Sequence, residues 1–151
     1  MKMVWDATRG GFDLAVTKSG GLDGGDPLGG AVIVSLFSDR TADPADMTPD
    51  LGPDRRGWWG DALRDSADRL GSLLWIKRRQ KKTEQVRRSI EDEATAALAW
   101  LIEDGIAATV EVKASFPPEM ADWIVLQVVI TEPNGVRRDW KIDVLWSALA
   151  D

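Results

Sequence analysis

Cysteine, histidine and tyrosine are all missing from this 151-residue chain. Without cysteine there can be no disulfide, thiolate metal site or cysteine nucleophile, and the composition suits a reducing cytoplasm. Without histidine the commonest general base and the commonest metal ligand are gone. That is a poor inventory for an enzyme, and no cofactor or metal is expected. Long apolar runs are missing too: none approaches the ~20 residues needed to span a bilayer, so no membrane segment is expected. The opening Met1-Lys2-Met3-Val4-Trp5-Asp6 is too short and too acidic to read as a signal peptide.

What is present is a folded protein's share of apolar and charged residues, including eight tryptophans. The length predicts one domain over 1–151, because two ordinary cores would not fit. The net charge of −6 conceals a segregation. Residues 1–54 carry nine acids against four bases, residues 55–88 eleven bases against four acids, and residues 89–151 twelve acids against four bases. A basic centre between acidic flanks suits charge-complementary assembly, although a basic solvated helix face would look the same.

Along the chain, Phe12 to Val16 alternates weakly and reads as a short strand. Ser19 to Gly30 holds six glycines in twelve residues, a loop with little to pack and expected to be mobile. Asp26-Pro27 has the signature of a helix start, an N-cap aspartate followed by proline at the first helical position. The run Ala31 to Phe37 is ambiguous: its β-branched residues suggest a strand, its cap and apolar length a buried helix. Residues 39 to 61 are rich in Asp, Pro and Gly and predict a long ordered loop. Ser72 to Ile76 predicts a short helix. Thr83 caps a long one with Glu84 in its first turn, and Val86, Ile90, Ala94, Ala97, Leu98 and Leu101 recur on one face. Gly105 stops it, which predicts a helix of roughly 33 Å.

From Ile106 the period changes to two. Ile106, Ala108, Val110, Val112, Ala114 and Phe116 predict a half-buried strand broken by Pro117-Pro118. Trp123 to Thr131 is apolar on both faces except at Gln127, which predicts a central strand. Pro133-Asn134-Gly135 marks a hairpin turn, and Val136 to Trp146 alternates again. The expected fold is therefore α+β: one long helix plus shorter helices packed on a C-terminal antiparallel β-meander. Residues 1–30 would hold the N-terminal strand and glycine-rich loop, 31–105 the helical part, and 106–151 the sheet. Both outer strands would offer edges for strand addition.

The candidate chemistry is thin. Asp23-Gly24-Gly25-Asp26 is one copy of a glycine-aspartate pattern that binds metal only in stacked repeats. Glu103-Asp104 is the best carboxylate pair, and a lysozyme-like hydrolase acting on peptidoglycan is the alternative function it raises. Neighbours on a helix do not face each other, however, and the pair is better suited to meeting a basic partner. Lys77 to Arg88 carries seven bases and one acid without interleaved aromatics, so a surface including Lys77, Arg78 and Arg79 that docks an acidic protein is expected rather than nucleic acid. Adjacent Trp58 and Trp59 either plug the core or, with Arg55 and Arg56, form an interface hot spot. One ring is expected inside and one near a partner, with both arginines reaching carboxylates.

Four blocks follow one another along the chain: Ala31-Val32-Ile33-Val34-Ser35-Leu36-Phe37-Ser38-Asp39-Arg40, Asp54-Arg55-Arg56-Gly57-Trp58-Trp59-Gly60-Asp61, Gly71-Ser72-Leu73-Leu74-Trp75, and Ala97 to Gly105. Together they resemble the baseplate wedge protein family of Mu-like contractile-tailed phages and prophages. That family is related to the small wedge protein of T-even phages and to its type VI secretion counterpart. The resemblance spans roughly Phe12 to Trp146. It implies that Ala31 to Phe37 is helical and that the protein is structural and not an enzyme. It further implies a virion tail-baseplate subunit, assembled in the host cytoplasm and repeated sixfold. Implied partners are larger wedge proteins, the hub or spike, and tail tube or sheath proteins, with support of sheath initiation. The T-even relatives carry Glu-Pro-Arg after the equivalent helix; here Glu103-Asp104-Gly105 stands instead, so the proline and arginine contacts do not transfer.

Overall fold

In the computed structural model, residues 3–6, 11–14, 25–63, 69–78 and 80–145 are described. The N-terminal strands β1 (Met3–Asp6) and β2 (Gly11–Leu14) pair antiparallel, with Trp5 opposite Phe12. Of the glycine-rich stretch, Ser19 to Gly24 lie outside the described residues.

The ambiguous apolar run is helical: α1 covers Pro27–Phe37 with Asp26 at the N-cap and proline in the first turn. Asp26 does not cap with its side chain, contrary to its sequence signature. Its Oδ2 accepts from Trp140 Nε1 at 3.0 Å, and Oδ1 stands 4.0 Å from the Arg138 guanidinium. A long-range indole donor has displaced the local amide.

Helix α3 (Glu84–Ala97) begins as expected, Thr83 Oγ1 accepting from the Val86 amide at 3.2 Å. Ile90 and Ala94 are wholly buried, one turn apart on the inward face. The predicted continuous helix to Gly105 is interrupted at Leu98–Ala99. There the amides of Leu98 and Ala99 bond to the carbonyls three residues back, Thr95 and Ala96, before α4 (Trp100–Glu103) resumes. Neither proline nor glycine causes this bend, so tertiary packing must. The tighter turn keeps both Leu98 and Leu101 fully buried and lets Trp100 Nε1 donate to Ser35 Oγ of α1 at 3.0 Å. Gly105 ends α4 with φ of 72°. The Ile106 amide reaches back to Leu101 O at 2.9 Å and the Gly105 amide to Ile102 O at 3.0 Å, the paired bonds of a Schellman motif.

That motif delays the next strand. β3 covers Thr109–Ser115, and Ile106 is exposed while Ala107 is buried, so the predicted alternation holds only from Val110 onward. β3, β4 (Trp123–Thr131) and β5 (Arg137–Leu145) form an antiparallel sheet in the order β3-β4-β5, with β4 central as expected. The turn between β4 and β5 uses Gly135 at φ of 87°, with Val136 N–H donating to Asn134 Oδ1 at 2.9 Å. Trp146 lies outside the described residues. Ile124, Leu126, Val128 and Ile130 alternate inward along β4 and pack with α1, α3 and α4 into the main apolar cluster. Long helix, shorter helices and C-terminal meander make this an α+β arrangement.

Of the two sheet edges expected to be open, β3 is partly closed. Its Ala114 N–H donates to Glu91 Oε1 at 2.8 Å, and its carbonyl accepts from Arg87 at 3.1 Å; Arg87 and Glu91 also pair with each other. Two helix side chains therefore occupy the place of a neighbouring peptide.

Candidate partner-binding surface

The loop after α1 is tied down before it reaches the tryptophan pair. Ser38–Arg40 runs beside Ser72: Arg40 N–H donates to Ser72 O, and Ser72 N–H to Ser38 O, both at 2.9 Å. Ser72 Oγ donates to Leu36 O at 2.6 Å. The adjoining helix α2 (Leu74–Lys77) inserts Trp75, 3% exposed, among Ala42, Leu51 and Ile76, and the indole N–H donates to Arg40 O at 3.0 Å. Glu93 of α3 braces the same region by accepting from the Leu73 amide and the Arg40 guanidinium, at 2.7 and 3.2 Å.

Both arginines of the signature segment bond back onto the loop, Arg56 half-buried and Arg55 exposed. Arg55 Nε donates to Ala42 O at 2.5 Å, and Arg55 O accepts the Ala42 amide at 3.0 Å. The Asp43 carboxylate is 3.9 Å from the Arg55 guanidinium. Arg56 adopts the left-handed backbone region at φ of 54°, disfavoured for a side chain of its kind. Three contacts hold it there: its amide donates to Asp54 Oδ1 at 2.8 Å, its guanidinium pairs with Asp39 Oδ2 at 2.8 Å, and it lies 4.7 Å over the Trp75 ring. Gly57 continues at φ of 103°, and a Cβ there would sit 1.7 Å from Thr41 Oγ1. Only glycine fits both the backbone and the space.

Past this anchor the tryptophans face out. Trp58 is 40% exposed and leans over Gly60; Trp59 is 73% exposed, its ring centroid 5.7 Å from that of Trp58 at an interplanar angle of 50°. Leu63, at the end of the same 3-10 turn (Trp59–Leu63), is also exposed. The expectation of one ring inside the core is thus corrected. The buried indole is Trp75, whose neighbours Leu73, Leu74 and Ile76 were the available sign of an inside position.

The basic run is only partly outward. Arg78 is buried, with its guanidinium 5.9 Å over the Phe37 ring. Its pKa is pushed down to about 10, first by burial and then by the neighbouring Arg56, against the pull of Asp39. Lys77 is half-buried and Arg79 lies outside the described residues. Farther on, Glu84 bonds Arg87 and Arg88, and these contacts, Arg87 foremost, hold its pKa down to about 2. Lys82 donates to the carbonyls of Ala121 and Trp123. Much of the positive charge is spent within the fold.

Glu103 and Asp104 are exposed at the end of α4 and line a groove of about 620 Å³ with Ala31 and Val34 of α1, Trp100 and Arg69. Among the described residues neither carboxylate forms an ion pair, and no cluster of acidic residues is arranged to hold a metal. A second, more polar groove joins Glu103 to Arg40, Thr41 and Asp43. The structure therefore groups Arg55, Arg56 and Arg78 around Asp39, Ala42 and Trp75, and places the acidic pair apart from them.

Residues 28–137 match the family described as "Phage protein GP46". The chain is 36% identical over 137 residues to "Baseplate protein gp46" of Escherichia phage Mu, covering 89% of this chain and 88% of that protein. It is 31% identical over 147 residues to "Mu-like prophage FluMu protein gp46" of Haemophilus influenzae, covering 97% of each. With the match running from α1 to the start of β5, the chain belongs to the GP46 family of Mu-like phage proteins.

Proposed function

We propose that this chain is a non-enzymatic structural subunit of a contractile phage tail baseplate. In this reading it is a wedge component, repeated sixfold, that joins larger wedge proteins around the hub or spike and supports sheath initiation. It assembles in the host cytoplasm and remains in the virion tail. The observation that carries the reading is a rigid loop that displays two adjacent tryptophans to solvent, in a chain similar to a protein named for the baseplate. Trp58, Trp59, Lys77, Arg79, Glu103 and Asp104 are the proposed contact positions. Arg55, Arg56 and Arg78 act at the interface through the loop and helix they fix.

Removing the gene from an inducible prophage tests this. Tails lacking baseplate and sheath, restored by the wild-type chain in trans, are the expected result; normal contractile particles without the chain would sink the proposal. The peptidoglycan-hydrolase alternative has the weaker basis, since Glu103 and Asp104 lack the apolar enclosure a glycosidase acid needs. Zymogram clearing lost on Glu103→Gln would restore it.

A further inference from the structure

The face of the sheet turned away from the helices is exposed along both outer strands. Its outward positions on central β4 are Val125, Gln127, Val129 and Thr131, and the register sets the charges of β3 and β5 in rows beside them. Arg137 stands beside Thr131, Glu111 and Asp139 flank Val129, Lys113 and Lys141 flank Gln127, and Asp143 stands beside Val125. All six charged side chains are exposed. Among the described residues none of them forms an ion pair, although Asp139 accepts from Gln127 Nε2 at 3.1 Å. Val125 and Val129 are half-buried between them, where a solvated antiparallel face ordinarily carries polar residues. An apolar centre with charged flanks is how protein interfaces are commonly built.

Successive rows lie roughly 7 Å apart, twice the rise per residue of a strand. From Thr131 to Val125 their charges run plus one, minus two, plus two, minus one. Reversed, that series is its own complement. There are two ways to lay this face on its own copy with the strands aligned. One keeps the row order and sets like charge on like. The other reverses the strands about a two-fold axis perpendicular to them. Glu111 then meets Lys113 of the second copy, Asp139 meets Lys141 and Arg137 meets Asp143, with β4 over β4. Packed sheets cross by about 30°, a misfit that lysine and arginine side chains take up over so short a face. The six charges cancel, so the face adds nothing to the repulsion between chains of net charge −6.

We propose that the outer face of the sheet is a self-docking surface through which two copies of this chain pair reversibly, with their strands antiparallel. The face measures roughly 20 by 10 Å between backbones, at the small and readily dissociating end of specific interfaces. The inference goes beyond the baseplate reading and does not depend on it.

Sedimentation equilibrium of the full chain tests the pairing. Wild type should dimerise with a Kd on the order of 100 µM at low salt, and at least about tenfold more weakly in about 1 M salt. Two doubly substituted chains carry the decisive test, Lys113→Glu with Lys141→Glu and Glu111→Lys with Asp139→Lys. Each alone should lose self-association by about tenfold or more, because rows of one sign then face each other. Mixed in equal amounts, the two should pair within about threefold of the wild-type affinity, which also shows that both are folded. Wild type that stays monomeric at about 1 mM, either variant dimerising as strongly as wild type, or a mixture that stays monomeric would each overturn the inference.

Discussion

Where α3 and α4 meet the sheet, Ile90, Leu98, Leu101 and Ile130 are fully buried in one continuous apolar cluster of helix and strand residues. Around Trp75 the buried apolar residues among those described are four, Ala42, Leu51, Trp75 and Ile76. The first region is held by periodic side-chain burial. The second is held by named polar contacts: Arg56 to Asp39, Arg55 to Ala42, Trp75 to Arg40 and Glu93 to Leu73. Apolar packing is non-directional and tolerates any residue of suitable size, whereas a hydrogen-bonded loop fixes particular atoms. A platform that must present two indoles in one orientation gains from the second kind of construction.

The strongest way to break this contrast is at Leu98. Leu98→Ala removes a fully buried side chain at the helix bend and should destabilise the whole protein by ~2–5 kcal/mol, read from chemical denaturation. An unchanged midpoint would show that the bend is not part of the core.

Gly57→Ala should act on the other region. The left-handed φ and the approach to Thr41 predict a loss of ~1–3 kcal/mol, seen as faster amide exchange over residues 39–63 with β4 still protected. Equal loss of protection in β4 would show that the two regions unfold together.

How much of each region could be read from sequence follows the same divide. The inward faces of α3 and β4, the central place of β4 and the Pro133-Asn134-Gly135 turn were legible because each depends on local periodicity or turn chemistry. The bend at Leu98 was not, because only Trp100 meeting Ser35 across the fold gives it a cause. Asp26 carried a correct N-cap signature, yet its side chain was claimed by Trp140, 114 positions away. Arg55 and Arg56 showed that the signature segment mattered, but not that they bond back onto the loop. Their partners Ala42 and Asp39 are distant in sequence and no periodic pattern marks them.

A smaller effect should appear on acidification. Contact with Arg87 and Arg88 holds the Glu84 pKa down to about 2, below its ordinary 4.5. Its contribution is thus present above about pH 4.5 and fades as pH falls toward 2. Thermal melts of wild type and Glu84→Gln should differ at pH 6 and converge near pH 2; a constant difference would detach the ion pairs from the helix start.

The smallest effect belongs to the most conspicuous residue. Trp59→Ala should shift the stability of the isolated protein by no more than ~0.5 kcal/mol, since the ring is 73% exposed. A large loss would mean that the indole supports the fold and is not reserved for a partner.

The ion pair at Ala114 guards one flank of the sheet at that position. A strand approaching β3 would have to expel Arg87 and Glu91 from the main-chain groups they occupy before it could bond there. Among the described residues no strand lies beyond β5. The two flanks are thus guarded differently: β3 by helix side chains that hold the main chain at Ala114, and β5 by its own charged residues, Arg137, Arg138, Asp139, Lys141 and Asp143, of the kind that discourages accidental edge pairing.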